Sequence, residues 1–492
     1  MPSKSGRFKS FCESAVFALF SLLMICVLLL NIKAEPGLVW GIAFVCAAML
    51  CCARFPKIKH GIKRGIRLAA SSNKVLIAAI VLGILLRALP LLCDFTWVLE
   101  DNTGDCAIHF FGAQQLAGDG LTRKNALYES IFVQLYSYTL TLSLFVRLIP
   151  DMTTAIIASN ILFDAVSVVF LAKLLHSANK NAKLGVLLWC ANPFFIVMCW
   201  MPMAVPLVNA ILMASLSFGA WLLNRNAGQK TPYGLATLFG LSIFVGNLYR
   251  PLFYVLLIAE VISLILQIMA KPQKAKQTLA VILIVVMLAL IPGKLYSNCV
   301  TSIGGFRVPE NRAGWNFYVG ANFETKGQWS SADNSFFWND LIPSMEPEEA
   351  EALLFARGIW RYTAMSVPQL VTHMFNKLGV LLADVGNSIH DLKGTFANAG
   401  SVYGVLSRSV NVYYWVLMAC IFLLLLRALK QRNIAAEAFL PMLAFVGLTM
   451  AYMLVEVMNR YSSMLIALLI VIVCMLPASS ASAIHSHSDT EL

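Results

Sequence analysis

The chain has 492 residues, of which 59% are hydrophobic and 13% charged, about half the charged share of an ordinary soluble protein. That balance excludes a large soluble domain, and apolar runs of the length a helix needs to cross a bilayer recur from end to end. The net charge of +12 lies in short segments between those runs, which argues against nucleic acid and fits topology signals and anionic headgroups.

Lys4, Arg7 and Lys9 precede an apolar run over 12–32. No convincing small-residue cleavage site follows, so this reads as an uncleaved first span. Further spans are predicted over 38–53, 75–93, 152–175, 184–200, 204–224, 233–249, 252–270, 278–298, 411–429, 437–455 and 459–477. The expected fold is an all-α bundle of about twelve transmembrane helices. With the N-terminus in the cytoplasm, alternate loops collect the basic residues: Lys57 and Arg64, Lys180 and Lys183, Arg225 and Lys230, Lys271 and Lys274, Lys430 and Arg432. The positive-inside rule is then obeyed at every turn. Counting 126–149 as a span would invert every later loop. That segment, with Tyr128, Tyr136 and Tyr138, is therefore laid flat at the outer interface, where phenols favour the boundary. The segment 367–389 is treated likewise.

Five regions follow. Residues 1–74 form a two-span extension with a basic cytoplasmic loop. Residues 75–298 form a core membrane module whose first outer loop is 94–151. Residues 299–410 form an outer loop region, 411–477 carry the last spans, and 478–492 are a cytoplasmic tail. Most of the twelve cysteines fall inside spans and read as small hydrophobes. Cys93, Cys106, Cys199 and Cys299 lie near the outer face without a spacing that specifies a disulfide. His485 and His487 read as solvated tail.

Candidate chemistry collects on the outer side. The first outer loop carries Glu100, Asp101 and Asp105 ahead of a short helix. Asp105 at that helix start can cap free amides, or serve as a base toward a hydroxyl. Arg87, Arg250 and Arg460 sit at outer ends of spans, and guanidinium groups there hold phosphate bidentately. Glu456, four residues before Arg460, can instead pair with it across one helical turn. Asp164 and Glu260 lie inside spans, where acids relay protons or bond between helices. The stretch 314–333 includes Trp315, Asn316, Tyr318 and Asn322. Its aromatic faces can stack on sugars or simply pack the loop.

In order and topology these elements resemble the polytopic GT-C glycosyltransferases, specifically the bacterial branch related to dolichyl-phosphate-mannose protein mannosyltransferases (family 39). The likeness covers roughly residues 72–476. It rests on Arg87-x-x-Pro90, the acidic loop with Asp105, the tyrosine-bearing flat helix, Asn192-Pro193, Arg250-Pro251, Gly-Trp-Asn-Phe-Tyr-Val-Gly-Ala-Asn from Gly314, and Glu456-x-x-x-Arg460-Tyr461. The stretch after Asn192-Pro193 lacks the carboxylate that the family often shows there, and two spans precede the usual first core span.

The resemblance implies an inverting transferase. It would move a mannose-like or other monosaccharide from a polyprenyl-phosphate carrier to an extracytoplasmic glycan, lipid or protein hydroxyl. Asp105 is then the expected base, with Asp101 the alternative. Arg250 and Arg460 would hold the lipid phosphate, with Arg87, Tyr128, Asn316, Tyr318, Asn322, Glu456 and Tyr461 as further substrate contacts. No cofactor is implied, and metal need stays open. The expected location is the cytoplasmic membrane, with both termini in the cytoplasm and the site outside. A flippase for a lipid-linked sugar, using Asp164, Glu260 and the arginines as a path, is the rival; an inactive scaffold subunit is a third reading.

Overall fold

The computed structural model describes residues 4–34, 72–93, 95–99, 104–224, 232–304, 309, 313–397, 399–431 and 436–476. The expected span 38–53, Glu100, Asp101, His485 and His487 lie outside the described residues. Among the described residues the structure is helical apart from turns and one isolated bridge, Trp97 to Phe396. Among the described residues seven helices are long and apolar enough to cross a membrane. The all-α membrane architecture expected from the apolar runs is therefore observed.

The first run forms α1 (Lys4–Ala34), and 75–93 forms α2 (Asn73–Arg87) with a short turn at Leu89–Leu92. The flat segment is two helices, α4 (Arg123–Ile131) and α5 (Val133–Leu148), which follow α3 (Asp105–Ala117). Thr122 caps α4, and the chain leaves helical geometry at Phe132. Beyond it run α6 (Met152–Ser177), α7 (Ala182–Cys190) and α8 (Pro193–Met198). The expected span 184–200 is broken because Asn192 caps Phe194 N with its side chain and Pro193 takes the first helical position. The bundle continues with α9 (Val205–Leu223), α10 (Pro232–Tyr249), α11 (Tyr254–Ala270) and α12 (Ala275–Gly304).

The region 299–410 is folded rather than loop-like. It holds α13 (Gly314–Gly320), a π-helix (Phe336–Leu341), α14 (Pro347–Ala364), α15 (Val367–Leu382) and a 3-10 helix (Val385–Gly394). Gln369 reaches back to the Ser366 N–H to start α15. The expected boundary at 410 falls inside α16 (Ala399–Gln431). Its first turns are rich in Gly and Ser and carry Arg408, so hydropathy misses them. At 33 residues the helix is about 50 Å long, well beyond a hydrocarbon core of about 30 Å.

α17 (Phe439–Leu454) and α18 (Ser462–Met475) close the chain. Between them Val455–Met458 is extended and Asn459–Tyr461 is a 3-10 turn. α18 is apolar all round and buried along nearly its whole length, as a helix must be when every face meets protein. It packs on α7, α9, α16 and α17. Arg460 thus stands immediately ahead of the most enclosed helix in the bundle.

Candidate active site at the break between α17 and α18

The extended segment Val455–Val457 is clamped by the folded region that precedes α16. Glu456 N donates to the Asn316 carbonyl at 2.7 Å and Val457 N to the Gly327 carbonyl at 2.9 Å. Lys377, fully buried in α15, places its Nζ within hydrogen-bond distance of the Gly320 carbonyl (2.8 Å), the Val455 carbonyl (2.7 Å) and Tyr362 Oη (3.1 Å). Gly320 is required there, because a Cβ would stand 2.4 Å from the Val455 carbonyl carbon. Gly327 has φ +74°, a conformation natural to glycine.

This clamp keeps Glu456 out of helical geometry, so the expected one-turn pairing with Arg460 does not form. Arg460 instead bridges two aspartates far apart in sequence. Nη2 donates to Asp105 Oδ2, and Nη1 donates to Asp391 Oδ2 at 2.7 Å. The Arg460 side chain is 12% exposed, against 26% for Asp105 and 32% for Asp391. Gly104, with φ +98°, takes the N-cap of α3. The Asp105 carboxylate is therefore not the cap considered from sequence.

Arg250 precedes the 3-10 turn Pro251–Phe253 and lies 4.2 Å above the Tyr461 ring, a cation–π contact. Tyr461 in turn stacks on Tyr452. Among the described residues Arg250 has no carboxylate partner. Glu456 is buried. Burial pushes its carboxyl up to about 7, with Asp105 adding to the rise and Arg460, then Arg250 and Lys377, opposing it. Tyr128 is held well above its ordinary value by burial and then by Asp105 and Glu456, so its phenol stays protonated. It stacks on Trp338 of the π-helix. One turn after Asp105, His109 bonds Thr139 at 3.0 Å. Burial lowers it to about 4, so it is neutral.

Asp105, Arg250, Glu456, Arg460, Tyr461 and Tyr128 are thus brought together. Three other sequence candidates are engaged elsewhere. Arg87 is 2% exposed and its Nε meets Asp164 at 2.8 Å. Its Nη1 bonds the Gly83 and Cys190 carbonyls. Arg87 is thus engaged with Asp164 rather than with the aspartates of Arg460. Asn322 donates to Asp333, which also takes Arg361, and Arg361 covers the Tyr318 ring at 3.6 Å. Tyr318 and Asn322 therefore tie their own region together. Asn316 contributes a backbone carbonyl to the clamp. The cysteines among the described residues are free thiols.

Sequence reasoning missed Asp391 and Lys377. Nothing in spacing links Asp391 to an arginine 69 residues later. Lys377 did leave a signal: a lone lysine in the apolar stretch of α15 needs partners.

No family model matches the chain, and no curated protein does. Among solved structures the chain is similar to ArnT from Cupriavidus metallidurans in the apo state, at 12% identity, over 81% of this chain and 77% of that chain, with a TM-score of 0.32.

Proposed function

We propose that this membrane protein is an inverting glycosyltransferase of GT-C type. It moves one sugar from a polyprenyl-phosphate carrier to an acceptor hydroxyl on the extracytoplasmic side. The observation that carries the reading is the meeting of Asp105 with Arg460 across 355 positions of sequence, beside the carboxylate-free Arg250. A base and a cation are what displacement of a phosphate leaving group needs. Asp105 takes the hydroxyl proton while the acceptor oxygen attacks the anomeric carbon. The bond from that carbon to the phosphate oxygen breaks, and the electron pair leaves with the lipid phosphate. Arg250 receives the developing charge. Arg460 occupies Oδ2 of Asp105, which leaves Oδ1 for the hydroxyl. Tyr128, Tyr461 and Glu456 stand close to the same pair.

The flippase reading loses two of its residues, because Arg87 and Asp164 are spent on each other. The test is reconstitution of the purified protein in vesicles with labelled polyprenyl-phosphate sugar and envelope extract as acceptor. Label in a covalent product that needs Asp105 is the expected result. Label that crosses the bilayer with no covalent product would overturn the transferase in favour of the flippase.

A further inference from the structure

We infer that Asp391 is a positioning residue that governs how Arg460 meets Asp105; the inference rests on the transferase reading above. Asp391 lies on the 3-10 helix Val385–Gly394, and several links fix that helix against the turn that carries Arg460. Asn459 Nδ2 donates to the carbonyls of Val380 (3.0 Å) and Asp384 (3.1 Å). Ser388 Oγ donates to the Asn459 carbonyl at 2.7 Å. From the other side α16 holds the same helix. Gly386 N donates to Asn411 Oδ1 at 2.6 Å, and Asn411 Nδ2 donates to Asp384 Oδ1 at 3.2 Å. Thr395 Oγ1 donates to the Asp391 carbonyl at 2.7 Å. The backbone that carries the Asp391 carboxylate is therefore held by Asn459, Asn411 and Thr395.

One guanidinium here serves two carboxylates, one Nη each. A guanidinium left with a single carboxylate turns both N–H edges onto it, in the bidentate geometry that is strongest for this pair. Asp391 holds Nη1 away from Asp105. Asp105 then keeps one oxygen for a hydroxyl instead of giving both to Arg460. Asp391 itself touches neither the proposed acceptor nor the donor phosphate; it acts through Arg460.

Kinetics of the full-length protein in vesicles test this, together with an electron cryomicroscopy structure of Asp391→Asn. That substitution is expected to lower kcat about ten- to a hundredfold, the weight of one charge-assisted hydrogen bond, with donor KM unchanged. Asp391→Glu restores most of the rate. In an Arg460→Gln background, Asp391→Asn makes no further difference, since the two act as one unit. The structure of Asp391→Asn shows both Nη groups on Asp105. The inference is overturned by an unmoved Arg460, by Asp391→Glu falling as far as Asp391→Asn, or by equal losses in the two backgrounds. A wild-type protein with no transfer overturns the transferase reading alone, and the Arg460 geometry in the variant is then still read directly.

Discussion

Arg87 and Arg460 both stand near helix ends and both meet an aspartate, yet their surroundings differ in two countable ways. The first is charge balance. Arg87 has one carboxylate, Asp164, whose second oxygen accepts from Trp189 Nε1 at 2.9 Å. Arg460 has two, Asp105 and Asp391, which leaves a surplus of negative charge and unused oxygens. The second is enclosure. The Arg87–Asp164 side chains are 3% and 8% exposed, whereas Asp105 and Asp391 are about a quarter to a third open. A closed one-to-one pair is balanced in charge and shut from solvent, and a buried charge must be neutralised to be tolerated at all. An open two-to-one arrangement beside the carboxylate-free Arg250 can change partners during a reaction. Both arginines satisfy the same sequence rule, and only their neighbours separate structure from chemistry.

The comparison breaks most readily at Asp105. Asp105→Asn is expected to lower sugar transfer by about 10²–10⁴-fold, the usual contribution of a placed base. Arg460 keeps Asp391, so thermal unfolding in detergent stays near wild type. Unchanged turnover would remove Asp105 from the chemistry. The closed pair should answer in the opposite currency. Asp164→Asn strands the Arg87 charge and should cost about 3–5 kcal/mol of stability, read as a lowered unfolding temperature and reduced protein in the membrane. Replacing both partners, Arg87→Met with Asp164→Leu, should recover much of that loss. If the double variant is no better than the single one, the pair is not a self-contained unit. Arg250→Gln comes next. Loss of one charge-assisted contact to phosphate should lower kcat/KM for the lipid donor about ten- to a hundredfold without moving the unfolding temperature. An equal fall in stability would make Arg250 a packing residue against Tyr461.

How much of this was legible follows the same division. Apolar runs announce spans because each is long enough to register alone, as in Met152–Ser177 and Pro251–Ala270. That Asp105 and Arg460 share one predicted face follows from counting those spans; that they meet does not. The break at Val455–Met458 falls where the expected spans 437–455 and 459–477 part, but its extended form is not legible. The residues around it read as a run interrupted only by Glu456, Asn459 and Arg460, and the clamp that holds it extended comes from Asn316, Gly327 and Lys377, distant in sequence. The partner of Arg87 could not be chosen either, because Asp164 sits four helices later, in α6, at no diagnostic spacing. Sequence spacing fixes what shares a helix face. It does not fix which of several carboxylates an arginine reaches across the bundle.

The smallest expected effect is the pH response of the open site. Burial holds the Glu456 carboxyl up at about 7, above its ordinary 4.5, so the folded chain binds a proton there that the unfolded chain has released. The stabilisation from that proton is complete below the unfolded value and is lost as pH rises through about 7. The fall amounts to about 1 kcal/mol between pH 6 and 7. Lys377, lowered by burial to about 7 from 10.5, works in the other direction. Its stabilisation belongs to the neutral amine, is present at high pH and is lost as pH falls through the same value. The Glu456 slope runs between about pH 4.5 and 7 and the Lys377 slope between about 7 and 10.5, so comparison with a Glu456 variant isolates the first. Glu456→Gln, which keeps the shape of the protonated side chain, should match the wild type near pH 5 and exceed it by pH 8, with Arg460, Asp105, Arg250 and Lys377 still facing the amide. Unfolding curves in detergent that run parallel for the two proteins over this range would show that Glu456 carries its charge into the folded state. Glu456 would then add a negative charge near Arg250, repelling the phosphate that Arg250 is proposed to hold.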